Sequence, residues 1–137
     1  MWAEILHHLT LHFPIVLTMV LAATGLYARR SEQGEALLPL MRYGGLITLA
    51  LTTVATVSGL IAGGFTGGEE ALQHHRYLGI LSFVVIAAAA LSFEFGLRHQ
   101  NRDLRTFGTY LWWIAVFAVI GAGFWGGLGA HGDLTPF

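Results

Sequence analysis

The chain has no cysteine and no lysine, and only 11% of its 137 residues are charged. The missing cysteine excludes disulfides, thiolate zinc sites, iron–sulfur clusters and thioether-attached haem of the Cys-x-x-Cys-His type. Any metal or haem must then be held by histidine, carboxylate, methionine or tyrosine. Soluble domains carry about a quarter charged residues, so the shortage of charge argues that water is not the main solvent. A formal net charge of −1 offers no basic face to nucleic acid. A basic segment ahead of the first apolar run is also lacking. Met1-Trp2-Ala3-Glu4 therefore does not read as the start of a cleavable signal, and the run that follows is too long for one.

What the chain has instead is four apolar runs, over 9–28, 43–63, 77–97 and 107–129. Each is near the ~20 residues that a helix needs to cross the hydrocarbon of a bilayer. The expected fold is all-α, an integral-membrane four-helix up-and-down bundle formed by residues 1–137 as one domain. Six of the seven arginines, Arg29, Arg30, Arg42, Arg98, Arg102 and Arg105, flank the first and third connections. By the positive-inside rule those connections face the cytoplasm. Both termini and the middle loop are then periplasmic, in the inner membrane of a bacterium. Glu4, Glu69, Glu70 and Asp133 fall on that side with Arg76.

The same folding on paper gathers His7, His8, His12, His74, His75 and His131 at the periplasmic end and leaves His99 opposite. Histidine is costly inside a bilayer and is the commonest metal ligand. His12 and His75 are each followed directly by membrane sequence, which makes them the deepest. Imidazoles on facing helices can hold a b-type haem without covalent attachment. In that reading His12 and His75 are axial ligands, and His131 or His74 bonds a propionate with Arg76 supplying charge against it. A mononuclear copper, zinc or non-haem iron site competes for the same residues. It would use His8 and His12, one helical turn apart, with His75 or His131 and an oxygen from Glu69 or Asp133. Alternatively His12 caps carbonyls freed near Pro14 and the outer histidines sit among headgroups.

Around these residues the runs carry further detail. Thr48, Thr52 and Thr56 recur every four residues and lead to Gly59 and Gly63, a stripe suited to close helix packing. Gly79 and Ser82 leave the face below His75 nearly bare. Tyr110, Trp112 and Trp113 are placed as an interfacial aromatic belt. Glu94 lies within the third run, where it either snorkels to the interface or pairs with Arg98.

The motif His12-Phe13-Pro14-Ile15 at the start of the first run, with His75-Arg76-Tyr77-Leu78-Gly79 at the start of the third, resembles a family of small four-helix bacterial membrane proteins of unknown function. That family carries a His-Phe-Pro-Ile motif and a later His-Arg-Trp-Leu-Gly motif in the same places. Tyr77 stands where the family has tryptophan. Relatives joined to c-type cytochrome modules imply redox work at the periplasmic surface.

The leading expectation is a redox subunit binding a b-type haem, or failing that a metal, and exchanging electrons with a periplasmic carrier or quinol. An electron-transfer or accessory role is expected ahead of an enzymatic one, which the sequence leaves open. A cofactor-free accessory subunit that anchors a larger membrane complex is the alternative, supported by the glycine and threonine stripes. A metal-handling membrane protein is third.

Overall fold

The computed structural model describes residues 2–63 and 70–130. They form four long helices, α1 (Trp2–Arg30), α2 (Leu38–Gly63), α3 (Glu70–Arg98) and α4 (Arg102–Ala130), with a single 3₁₀ turn, Gly34–Leu37, between α1 and α2. Each is long and apolar enough to cross a membrane, so the protein is a multi-pass membrane protein with four candidate spans. The three helices of 29 residues are each about 43 Å long. That length covers the hydrocarbon and reaches into the headgroups on both sides. The helices therefore run past the apolar runs that mark them in the sequence.

The ends follow from local chemistry. Gly34 has no side chain, which lets the chain fold back over the Ala28 carbonyl as it leaves α1. Pro39 enters α2 in its first turn, where a missing N–H is harmless. Pro14, by contrast, is buried in the interior of α1, and the helix continues through it. Between α3 and α4, Gln100 takes a positive φ of 52° and Asn101 Oδ1 accepts the Leu104 N–H at 3.0 Å, capping α4.

Neighbouring helices run antiparallel. His7 packs on Gly59 and Leu21 on Gly44 along α1 and α2; His75 packs on Gly126 and Leu78 on Gly121 along α3 and α4. α2 also touches α3, and α1 touches α4. The core between them is built of small and medium side chains, among them Ala22, Ala89, Ala90, Ala115 and Val119, around Leu21, Ile86 and Trp112. Small residues let backbones approach closely. At Gly108 a Cβ would lie 3.0 Å from the Ala89 carbonyl and 3.1 Å from the Phe93 nitrogen, so α3 and α4 meet nearly backbone to backbone. Trp112 is fully buried, its ring against Gly45; it belongs to the core and not to an interfacial belt.

The two halves of the chain repeat one another. The five buried positions of α1, Pro14, Thr18, Leu21, Ala22 and Gly25, recur 68 residues later in α3 as Ser82, Ile86, Ala89, Ala90 and Phe93. Buried positions in α2 recur 67 residues later in α4: Met41 and Gly108, Gly45 and Trp112, Thr48 and Ala115, Thr52 and Val119, Ala55 and Ala122. The molecule is thus two helical hairpins of matching register, both pointing the same way. One end carries the chain starts of α1 and α3 with their histidines. The other carries both hairpin turns, with Arg29, Arg30 and Arg42 at the first and Arg98, Arg102 and Arg105 at the second.

Candidate functional site

His7 and His75 hold matching positions in the two hairpins, and there their rings meet. The centroids are 6.0 Å apart and the planes are inclined at 80°. Each ring is anchored to the next helix in the same way. The His7 Nδ1–H donates to the Ala55 carbonyl at 2.7 Å, and the His75 Nδ1–H donates to the Ala122 carbonyl at 2.7 Å. One turn beyond each acceptor stands a glycine whose vacant side the imidazole fills. A Cβ on Gly59 would lie 2.8 Å from His7 Cε1, and one on Gly126 would lie 2.7 Å from His75 Nδ1. Histidine, alanine and glycine are the same residue types in both halves, whereas buried pairs such as Thr18 and Ile86 or Gly25 and Phe93 differ.

This anchoring decides the chemistry of the rings. A carbonyl oxygen only accepts, so Nδ1 carries the proton in both, and the neutral imidazole keeps its lone pair at Nε2. A backbone carbonyl accepting from the far nitrogen is what commonly fixes a metal-bound histidine. It is also an ordinary way to satisfy a buried N–H. Bare helix surface nearby is the second feature. A Cβ added at Gly79, one turn below His75, or at Gly123 or Gly127 of α4 would touch nothing within 4 Å.

The other histidines are arranged differently. His12 is exposed. It follows His7 by five residues, which turns it roughly 140° around the helix. The ring against His75 is accordingly that of His7 and not that of His12. Counting depth along the apolar run missed this, because the face of α1 that packs on α2 carries His7. His8 is exposed and stands edge-on to His7, centroids 5.8 Å apart. His74 is exposed, bonds the Glu70 carbonyl at 2.9 Å and stacks on Trp125 with centroids 4.6 Å apart. Arg76 is half-buried in the next position of α3. His131, Glu69 and Asp133 lie outside the described residues. Among the described residues no three His, Asp or Glu side chains converge to hold a metal ion.

Sequence reasoning counted His7 in the cluster and Gly59 in a packing stripe but assigned neither, nor Gly126, to the site. A signal was present in the spacing: from His7 to Gly59 is 52 residues, and from His75 to Gly126 is 51. At the other end, Glu94 is buried and held by two arginines. Arg42 donates from Nε and Nη2 to both carboxylate oxygens at 2.7 and 2.8 Å, and Arg98 Nε donates to Oε1 at 2.7 Å. The pairing with Arg98, one turn away, is legible in the sequence; the bidentate one from α2 is not.

No family model, curated protein or solved structure matches this chain. The likeness to the His-Phe-Pro-Ile family therefore rests on the two short motifs alone.

Proposed function

We propose that this protein is a membrane electron-transfer subunit that carries a b-type haem on His7 and His75. The observation that supports the reading is the matched anchoring of the two rings, each with Nδ1–H committed to a carbonyl and Nε2 left as a lone pair. The two ring centroids are 6.0 Å apart, close enough for both imidazoles to reach one metal ion. Gly79, one turn below His75, leaves that stretch of α3 bare, with room for a flat group to approach. Haem needs no more than two protein ligands, whereas zinc, copper or non-haem iron held by the protein alone asks for a third. A haem held there by His7 and His75 would supply a one-electron couple. The protein's own part is to fix the tautomer and exclude rotation of each ring through the Ala55 and Ala122 carbonyls. His74 and Arg76, next to His75, are placed in the sequence to offset propionate charge.

The arginines at both hairpin turns support a cytoplasmic position for that end. The histidine end then lies at the periplasmic surface of a bacterial inner membrane, with both chain termini, within reach of a periplasmic carrier or quinol.

The test is an absorption spectrum of the detergent-purified protein, oxidised and then dithionite-reduced. A sharp Soret band with reduced α and β bands is expected. His7→Ala and His75→Ala should each remove them while the protein stays in the membrane, and His12→Ala should keep them. Haem retained by both His7→Ala and His75→Ala, or a colourless wild type from haem-replete cells, would overturn the assignment.

The second reading, a cofactor-free accessory subunit, is favoured by a lateral apolar groove of about 400 Å³ between α1 and α2, lined by Trp2, Leu6, Val54, Val57 and Ile61. It predicts a colourless protein that co-purifies with a larger complex and destabilises it when deleted.

A further inference from the structure

At the end opposite the histidines, a cleft of about 370 Å³ opens where the connection after α1, the 3₁₀ turn and the start of α4 come together. Its volume falls in the range of small-ligand sites. Three arginines line it, Arg29, Arg102 and Arg105, with Glu32 and Glu35 on the same walls. Two other arginines of this end, Arg42 and Arg98, are already committed to Glu94. Those that line the cleft are not so committed. Arg29 lies over the Tyr110 ring, 4.9 Å from its centroid, and among the described residues neither Arg102 nor Arg105 has an ion pair. Arg105 Nε is buried without a hydrogen-bond partner among them. A buried, charged donor left without an acceptor is costly, and it is uncommon unless something else fills the role.

Planar guanidinium donors match the oxygens of a phosphate group, often in pairs. Basic pockets between membrane helices at the headgroup level are where such groups bind. We infer that this cleft binds a phosphate group, with Arg102 and Arg105 donating to its oxygens and Arg29 adding charge. The phosphate can arrive on an anionic lipid headgroup or free in solution, and the recognising chemistry is the same for both. Glu32 and Glu35 oppose it, so they set the affinity. They also supply a test that a purely structural role for the arginines would not answer. Nothing in this inference depends on the histidine end.

The experiment uses the full-length protein in neutral detergent. In one arm, native mass spectrometry counts bound phosphatidylglycerol against phosphatidylcholine; in the other, inorganic phosphate is titrated in a thermal-shift assay. Wild type is expected to retain phosphatidylglycerol selectively. The double variant Arg102→Gln, Arg105→Gln should lose about tenfold or more of that preference, given the strength of charge-assisted hydrogen bonds. Glu32→Gln with Glu35→Gln should bind several-fold more tightly, because removing two nearby like charges strengthens attraction for an anion. A response to inorganic phosphate alone, abolished by the arginine variant, makes this a site for free phosphate. If neither probe binds, or the arginine variant matches wild type, the inference fails. Should the arginine variant not fold, the glutamate variant decides: unchanged affinity there overturns the inference equally.

Discussion

Glu94 is only 7% exposed, in a helix whose length and composition suit the membrane. A carboxylate in such surroundings is costly unless its charge is answered. The fork of Arg42 meets both of its oxygens, and Arg98 reaches one of them from the next turn of the same helix. The pair with Arg42 ties α2 to α3 near the arginine end. Glu94→Gln should remove the attraction and leave two guanidinium groups facing an amide. Breaking an ion pair from one side is destabilising, and the partial exposure of both arginines keeps the loss modest. The measurement is unfolding in detergent by heat or SDS. A variant as stable as wild type would mean that solvent, and not Glu94, satisfies Arg42. Residue chemistry of this kind is half-legible from sequence. Neighbours one helical turn apart, such as Glu94 and Arg98, follow from helical geometry. Partners on other helices, such as Arg42 for Glu94 or His7 for His75, depend on which faces meet, and apolar patterning leaves those faces undetermined when every side of a helix is apolar.

The helices themselves are the most legible part of the chain, because a run of about 20 apolar residues has few fates other than a span. Their ends are less so, since the polar residues that extend α1 back to Trp2 or α3 back to Glu70 lie beyond the apolar pattern. Small and hydroxylated stripes are legible as packing surface but not as to which surface they meet. Thr48 and Thr52 are buried within the protein, each hydroxyl donating to a carbonyl one turn back, Gly44 and Thr48 respectively. The α3–α4 turn shows how an end is made. The Asn101 N–H donates to the Gly96 carbonyl at 2.8 Å and the Gln100 N–H to the Leu97 carbonyl at 3.2 Å, the paired bonds of a Schellman ending with Gln100 in the left-handed position. Glycine takes that conformation without steric cost. Gln100→Gly should therefore stabilise the protein by about 0.5–1 kcal/mol, less whatever the more flexible unfolded chain regains. Thermal unfolding in detergent checks it, and a lower midpoint would mean that the Gln100 side chain contributes more than its strained backbone costs.

At the scale of the whole molecule, the organising fact is the repeat of one hairpin by the other. It escapes a reading of residue types because most matched positions share burial and not identity: proline stands against serine at 14 and 82, and glycine against phenylalanine at 25 and 93. Repeats related by an axis along the membrane normal keep one orientation, so both turns must lie on one side and both histidine-bearing helix starts on the other. That arrangement brings His7 and His75 together between the halves, and it gathers the cations of both turns around the cleft at the other end. Each of the two functional readings thus depends on one orientation. The lack of native cysteine makes that orientation directly measurable, since a single introduced thiol is the only one in the chain. In spheroplasts, a membrane-impermeant maleimide should label Glu4→Cys and Glu70→Cys, and should reach Gln33→Cys and Asp103→Cys only after permeabilisation. The reverse pattern would move the histidine pair to the cytoplasm, remove a periplasmic carrier as its partner, and place the arginine cleft against the outer leaflet. Labelling of Glu4→Cys and Glu70→Cys from opposite sides would break the parallel repeat itself, because the matched helices could not then enter the membrane from one face.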